Sequence, residues 1–423
     1  MSVFQFDQDD HPTLRVRSAS SGSFTRFPLA DINSDSESDP DPETEQLLEE
    51  VIQSGSLPKD GIEIVVPLEE PFVAAQVENS GTSKKVGPED FEPLKVIGRG
   101  AYGKVLLVKQ KATGRYFAMK VLKKASIVVH TKNTEYTKTE RTILEEVSHP
   151  FIVKLFYAFQ TDSKLYLILD YVAGGELFTH MAYERMFDED VARFFAAELV
   201  LALEHLHELG IIYRDLKPEN CLLDNEGHIV LTDFGLSKVA LNTQDGKTNT
   251  VCGTIECMAP EVLLEAYYDQ AVDWWSLGIM IYDMLTGAPP FRGSNRKKTM
   301  EAILNKKLRI PNYISPDAKD LLTRLLRKSP AVRFGSGPGG AAAIKAHPFF
   351  RTIDWKALAR REVEPPIVPI LTSPEDVSNF NSEFTSLSVL ESPASPSPLS
   401  ASFNRLFQGF SFVDRSAYLP YHE

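Results

Sequence analysis

Cysteine is scarce in this chain, with three among 423 residues: Cys221, Cys252 and Cys257. They show no metal-ligand spacing and two of them share one short segment, which excludes a disulfide framework and points to a reducing compartment. There is no apolar run of the about 18 residues needed to cross a bilayer, and no basic-then-apolar start of a secretory signal. A soluble, intracellular chain is expected. No internal repeat appears. The acid excess, a formal net charge of −13, is confined to one end. Residues 1–90 carry nineteen acidic and six basic side chains, whereas the remaining 333 residues hold thirty-nine of each. The acidity therefore says nothing about the affinity of the rest for nucleic acid or membranes. Within the leader, the Ser/Asp/Glu/Pro run Asp31–Asp41 is too poor in apolar residues to fold alone.

What the sequence does contain is concentrated chemistry. Tyr213-Arg214-Asp215-Leu216-Lys217-Pro218-Glu219-Asn220 is followed, eighteen residues after its Asp, by Asp233-Phe234-Gly235. A lone Asp-Phe-Gly would be an ordinary polar turn; the two segments at this spacing and in this order read as the catalytic loop and metal-binding turn of a protein kinase. Phosphoryl transfer asks the protein for positioned charge rather than covalent help. Asp215 would accept the proton of a substrate hydroxyl, Lys217 would neutralise the moving phosphoryl group, and Asn220 and Asp233 would hold Mg²⁺.

Upstream, Ile97-Gly98-Arg99-Gly100-Ala101-Tyr102-Gly103-Lys104-Val105 lies between apolar, strand-like runs. Its glycines would let backbone amides approach phosphates with no Cβ in the way. The pattern alone fits a dinucleotide fold as well, but a second strand-like run, Phe117–Leu122, follows instead of a helix. Lys120 in that run would anchor the α- and β-phosphates. From Glu135 to Val147 the spacing is helical, with Ile143, Leu144 and Val147 on one side. Glu135, Glu140, Glu145 and Glu146 all lie on this segment, and periodicity does not choose the partner of Lys120 among them.

Further markers extend the pattern. Ala259-Pro260-Glu261 closes an activation segment, and Asp273–Gly278 begins an apolar helix. Arg333 is the expected buried, architectural partner of Glu261. Leu169-Asp170-Tyr171-Val172 reads as the hinge, with backbone groups of Asp170 and Val172 on adenine, Leu169 as gatekeeper, Glu176 near the ribose, and Val105 and Ala118 covering the base.

The segment Thr250-Val251-Cys252-Gly253-Thr254-Ile255-Glu256-Cys257-Met258-Ala259-Pro260-Glu261 resembles the activation segment of the AGC group of Ser/Thr kinases. Val251 in place of the usual Phe and Cys257 in place of the usual Tyr are departures. The tail, with His347–Phe350, Glu364-Pro365-Pro366, Ser392-Pro393 and Phe407-Gln408-Gly409-Phe410-Ser411-Phe412, resembles the AGC C-terminal extension. With Gly287–Phe291 and Asn295–Thr299, the order over residues 91–413 is similar to the ribosomal protein S6 kinases. A single catalytic core favours their one-domain, TOR-dependent branch. The stretch Gly227–Ser237 looks equally like the first domain of the two-domain relatives in MAP-kinase signalling, so a truncated form of those stays open.

This resemblance implies an α+β, bilobal kinase fold: a small antiparallel β-sheet lobe with a regulatory helix at about 91–169, and a mainly helical lobe at about 173–350. A leader at 1–90, an extension at 351–413 and a short tail at 414–423 complete the expected domains. It selects Glu140 as the partner of Lys120 and adds Thr254 to the catalytic set. It implies ATP and Mg²⁺, and Glu176, Glu219 and Asp283 as readers of arginines upstream of the phosphoacceptor; paired carboxylates are natural receptors for a guanidinium fork. Arg15-Val16-Arg17-Ser18-Ala19-Ser20 in the leader fits such a substrate pattern. Thr250, Ser392 and Ser411 are implied phosphorylation sites, with a phosphoinositide-dependent kinase and a TOR complex as upstream kinases. Val3-Phe4-Gln5-Phe6-Asp7 is a poor match to the family's TOR-signalling motif. A cytoplasmic monomer with access to the nucleus, binding neither nucleic acid nor membrane, is expected. A pseudokinase scaffold is the rival reading; such proteins lose the anchoring Lys, the loop Asp or the metal Asp, and here Lys120, Asp215, Asn220 and Asp233 are all present.

Overall fold

Alternating and fully apolar runs between residues 91 and 170 become strands of one antiparallel sheet. The computed structural model describes residues 15–17, 24–26, 86–100, 103–128, 131–239, 253–337, 339–389 and 404–414. Two units are distinguished, Met1–Pro58 and Lys59–Glu423. In the first, Arg15–Arg17 pairs antiparallel with Phe24–Arg26.

In the second unit the strands Phe91–Gly100, Gly103–Gln110, Tyr116–Lys123, Lys164–Asp170 and Leu155–Gln160 lie side by side in that order, all antiparallel. One face of the sheet buries aromatic rings, among them Phe91, Phe117, Phe156, Tyr157 and Phe159. The helix Thr131–Glu146 carries Ile143 and Leu144 into the main core. It begins four residues before the periodic stretch does, because polar residues fill its first turn without breaking it.

The larger lobe is helical. Glu189–Glu208 spans twenty residues with acids in its first turn and His205 and His207 in its last, a distribution that suits the helix dipole. It packs on Ala271–Thr286, whose Trp274 and Trp275 are buried. The bilobal α+β arrangement expected from the sequence is the observed one.

The segment after Phe350 touches both lobes. Arg361 pairs with Asp224 and, at 2.9 Å, with Glu226 on the turn joining strands Cys221–Leu223 and Ile229–Leu231. Gly227 in that turn has φ +95°, and a Cβ there would lie 2.0 Å from the Ile367 carbonyl oxygen, so only glycine lets the extension pass. Phe384, Leu387 and Val389 then pack on the aromatic face of the sheet. Finally Phe412–Val413 adds a sixth strand beside Leu155–Gln160, with Phe412 opposite Ala158. Phe407 and Phe410 are buried next to it. Fully buried Lys124 donates to the Gln160 and Asn404 side-chain oxygens at 2.7 and 2.6 Å, and burial lowers its pKa to about 8.

Glu261 and Arg333 form a bidentate pair at 2.5 and 2.8 Å, and Arg333 also donates to the Ala271 and Arg327 carbonyls. Both are buried. Such a pair adds little net stability, but losing one member strands a charge. Arg333→Leu should therefore lower the unfolding free energy by about 3–5 kcal/mol in a denaturant titration. Glu261→Leu combined with Arg333→Leu should cost less than the single change; a larger loss in the double variant would show that packing rather than charge sets the cost.

Candidate active site

Lys120 stands in the strand Tyr116–Lys123, Glu140 in the helix Thr131–Glu146, and Asp233 in the loop after Ile229–Leu231. The structure brings all three together: Lys120 Nζ is 2.7 Å from Glu140 Oε1 and 3.2 Å from Asp233 Oδ1. Of the four acids near that helix, Glu140 alone is buried, at 4 % exposure. Burial opposes the Lys120 charge, yet the Asp233 and Glu140 carboxylates more than offset it and raise its pKa. Lys120 in turn holds Asp233 below the usual carboxylate range. Asp233 has φ +55° and accepts a hydrogen bond from the Gly235 amide at 3.2 Å.

Asp215 lies across from this triad on the loop between Ile211–Ile212 and Cys221–Leu223. Asn220 Nδ2 donates to both the carbonyl and the carboxylate of Asp215, at 2.9 and 2.8 Å, and Lys217 Nζ is 3.1 Å from the same carboxylate. The loop is strained: Arg214 has φ +70°, a conformation costly for a side chain with a Cβ. Buried Asp273 holds it, accepting from the Tyr213 and Arg214 amides at 3.0 and 2.8 Å. The Arg214 guanidinium reaches the Leu236 carbonyl and the Tyr268 hydroxyl, while its Nη2 is buried without a partner among the described residues. Thr254, Cys257 and Met258 line a crevice together with Arg214 and Asp215.

The glycine loop divides by cause. A Cβ on Gly103 would sit 1.7 Å from the Val121 carbonyl oxygen, so strand pairing alone demands glycine there. A Cβ on Gly100 would meet nothing within 4 Å, and one on Gly98 only makes ordinary contact with Val105. Packing does not explain those two; close approach of a ligand would. Ala101 and Tyr102 lie outside the described residues, as do Thr250 and Ser392. Ile97 is buried, Arg99 is exposed and Lys104 is half-buried. Ala118 pairs with Leu169 in the sheet, and Val105 with Lys120. The Asp170 amide is committed to the Lys154 carbonyl at 3.1 Å, so hinge recognition of a base would fall to the Asp170 carbonyl and to Val172.

Glu176, Glu219 and Asp283 come from three separate segments, and Glu219 acts on the other two. Burial first, then Glu219, pushes Glu176 up to about 7 and Asp283 up to about 6; Lys217 and Arg292 act in the opposite direction. Carboxylates gathered at such a cost suit a cationic ligand.

Sequence reasoning missed the contribution of the extension to the hinge. Tyr171 donates its hydroxyl to the Asp376 carbonyl and stacks on Phe380 at 5.9 Å, and Asn379 donates to the Ala173 carbonyl at 3.2 Å. The only local signal was an aromatic within a proline-punctuated stretch. Ser411 is exposed, and Arg141, the neighbour of Glu140, donates to the Phe410 and Ser411 carbonyls and lies over the Phe412 ring.

Comparison with known proteins agrees with this geometry. The sequence matches the family described as Protein kinase domain over residues 91–350, and Protein kinase C terminal domain over residues 371–412. It is 52% identical over 334 residues to Ribosomal protein S6 kinase alpha-1 of Homo sapiens, covering 78% of this chain and 45% of that one. Ribosomal protein S6 kinase alpha-3 of Mus musculus is 54% identical over 334 residues, covering 78% and 44%. For Ribosomal protein S6 kinase alpha-2 of Homo sapiens the figures are 51% over 356 residues, 82% and 48%. The chain spans about half the length of the curated relatives it matches.

Burial raises the Asp215 carboxyl above the ordinary aspartate range, and Lys217 pulls it back. Only the carboxylate accepts a proton, so a raised pKa means that kcat/KM falls at a higher pH, on acidification, than for an exposed aspartate near 3.9. In Lys217→Met that acid limb should move further toward neutrality, alongside a drop in kcat of about 100-fold. An acid limb that stays in place would show that Lys217 does not act on Asp215.

Proposed function

The chain belongs to the protein kinase family, and from that premise we propose that it transfers the γ-phosphoryl group of ATP to serine or threonine in proteins carrying arginines upstream of the acceptor. The observation that carries this reading is the joint assembly of Lys120, Glu140 and Asp233 with Asp215, Lys217 and Asn220. A scaffold without transfer would have no need to hold a base, an anchoring lysine and two hard oxygen donors in register.

Lys120, fixed by Glu140, holds the nucleotide phosphates. Asp215 orients the acceptor hydroxyl and takes its proton, and Lys217 offsets the charge that develops on the transferred group. Asn220 spends its NH₂ on Asp215, which leaves its amide oxygen for a cation, and the half-exposed Asp233 carboxylate is the second such oxygen. Hard oxygen donors of this kind fit Mg²⁺. Bound Mg²⁺ would supply charge neutralisation to the phosphates.

Glu176, Glu219 and Asp283 would take the guanidinium groups of an Arg-x-Arg-x-x-Ser/Thr-like substrate. The names of the relatives support ribosomal protein S6 or a similar target in growth signalling as that substrate. A second reading, carried by the resemblance of Gly227–Ser237, is the first catalytic domain of a two-domain S6 kinase in MAP-kinase signalling. Regulation would run through phosphate on Thr250, Ser392 and Ser411, added by a phosphoinositide-dependent kinase and a TOR complex in the cytoplasm and nucleus. The unpartnered Arg214 Nη2 suits a phosphate at Thr250, which brings about −1.5 to −2 of charge. Arg141 is a cation at hand for Ser411.

Radiolabelled ATP with an arginine-bearing peptide tests the reading: wild type should label it and Lys120→Met should not. Turnover retained in Lys120→Met would overturn the site. Thr250→Ala and Ser411→Ala, with phosphosite mapping, should lose most of the activity, and Ser392→Ala less; full activity in the first two leaves a constitutive kinase. The arginine readers bind as carboxylates, so protonation near 7 and 6 should raise KM for this peptide as the pH falls from about 8 to 6. A peptide without arginines should show no such rise, and equal rises in both would rule those acids out as the receptor.

A further inference from the structure

Charge of one sign collects in the chain shortly after Asp283. Between Arg292 and Arg309 lie seven basic side chains and one acid, Glu301, in a part of the chain where acids and bases otherwise balance. Arg296, Lys297 and Lys298 form the first turn of the helix Arg296–Asn305, and Lys306, Lys307 and Arg309 follow its end. All six are exposed, and among the described residues none is in an ion pair. Three cations at a helix N-terminus sit at the positive end of the dipole, where helix stability disfavours them. Folding does not account for them.

Their place does. The helix packs against Ile255–Cys257 and Pro260–Leu263, the stretch that follows Thr254, and Thr254, Cys257 and Met258 border Asp215. A polypeptide leaving the Asp215 crevice over residues 255–257 would meet the helix that carries these bases. We propose that the surface from Arg296 to Arg309 is a docking site for an acidic segment of the protein substrate, distal to the acceptor serine or threonine. This rests on the protein-substrate reading above and deepens it. The acids Glu176, Glu219 and Asp283 and these bases would then select a substrate of matched bipolar charge, and Arg292, which offsets the Asp283 charge, marks the border between them. Nucleic acid and anionic lipid carry the same sign as an acidic peptide, but the contact with residues 255–257, which follow the Thr254 that borders Asp215, argues for the peptide.

Two measurements on the full chain decide it. In the first, fluorescence anisotropy follows a labelled Glu/Gly decapeptide that has no acceptor and no arginine. It should bind at about 50 mM salt and at least about tenfold more weakly at about 300 mM, as screened charges require. Arg296→Glu, Lys297→Glu and Lys298→Glu together should weaken binding about tenfold with a melting temperature no lower than that of wild type, since acids suit the helix's first turn, and Lys306→Glu with Lys307→Glu should weaken binding similarly without touching that turn. In the second, two arginine-bearing peptides differ only in an acidic or a Gly/Ser extension after the acceptor. The acidic one should have a KM about fivefold lower in wild type, a gain lost in both variants, while the neutral one keeps its kcat/KM. Equal KM values in wild type, a gain that survives charge reversal, or binding of RNA or phosphatidylserine vesicles in place of the decapeptide would each overturn the proposal. Failure to phosphorylate either peptide would instead overturn the activity reading, and the anisotropy result alone would then decide docking.

Discussion

One ion pair, between a half-buried lysine and a buried glutamate, fixes the geometry on which everything else depends. Lys120 and Glu140, 2.7 Å apart, join a sheet strand to a helix, and Asp233 at 3.2 Å joins both to the larger lobe. Each charge is costly to bury alone, and breaking such a pair is penalised far more than forming it is rewarded. The arrangement is therefore steep: a helix displaced by a few ångströms strands the buried Glu140 carboxylate and leaves Lys120 with Asp233 alone. That steepness makes the helix a natural point of control. Arg141, the residue next to Glu140, is held by the Phe410 and Ser411 carbonyls and the Phe412 ring. The returning tail and Lys120 thus grip adjacent residues of one helix.

Part of the backbone strain among the described residues lies where this chemistry would be, although Arg185, Glu265 and Arg361 also have positive φ. Arg214 and Asp233, neighbours in sequence to Asp215 and Phe234, both have positive φ. A single buried carboxylate, Asp273, receives two successive amides of the loop, at Tyr213 and Arg214, and anchors them to a helix whose tryptophans are in the core. The loop is held from beneath by a helix packed in the core, so its carboxylate and amide groups can be positioned without a substrate to organise them.

Residue types required by chemistry were legible in the sequence. Asp215, Lys217, Asn220 and Asp233 lie in two short segments, so local order alone brought out their pattern. Glu140 was not legible in that way, because four acids shared the helical stretch and only burial separates them. The reason for Gly103 was also hidden: it answers to the Val121 carbonyl, a contact set by strand pairing and not by ligand. The contacts of Tyr171 with Asp376 and Phe380, and of Phe412 with Ala158, join residues more than two hundred positions apart. Hydrophobic period and turn chemistry report on neighbours in sequence, so neither carries information about where a distant extension will land.

That extension is best understood as a clasp. Arg361 is tied to the larger lobe at Asp224 and Glu226, Tyr171 and Ala173 receive residues 376–380 at the hinge, Tyr116 donates to Glu375 at 2.6 Å, and Phe412–Val413 completes the sheet. A chain fixed at both lobes and at the joint between them limits how far the lobes can open, since each anchor would have to be broken in turn. It also changes what the sheet is: the edge strand Leu155–Gln160 would otherwise present unpaired backbone groups, a known liability, and the tail covers it. Sheet completion, the position of the helix and the reach of Lys120 are consequently one problem. Any modification that loosens Phe407, Phe410 and Phe412 acts on the active site through the backbone of the sheet and the helix beside it, with no need for direct contact with nucleotide or substrate.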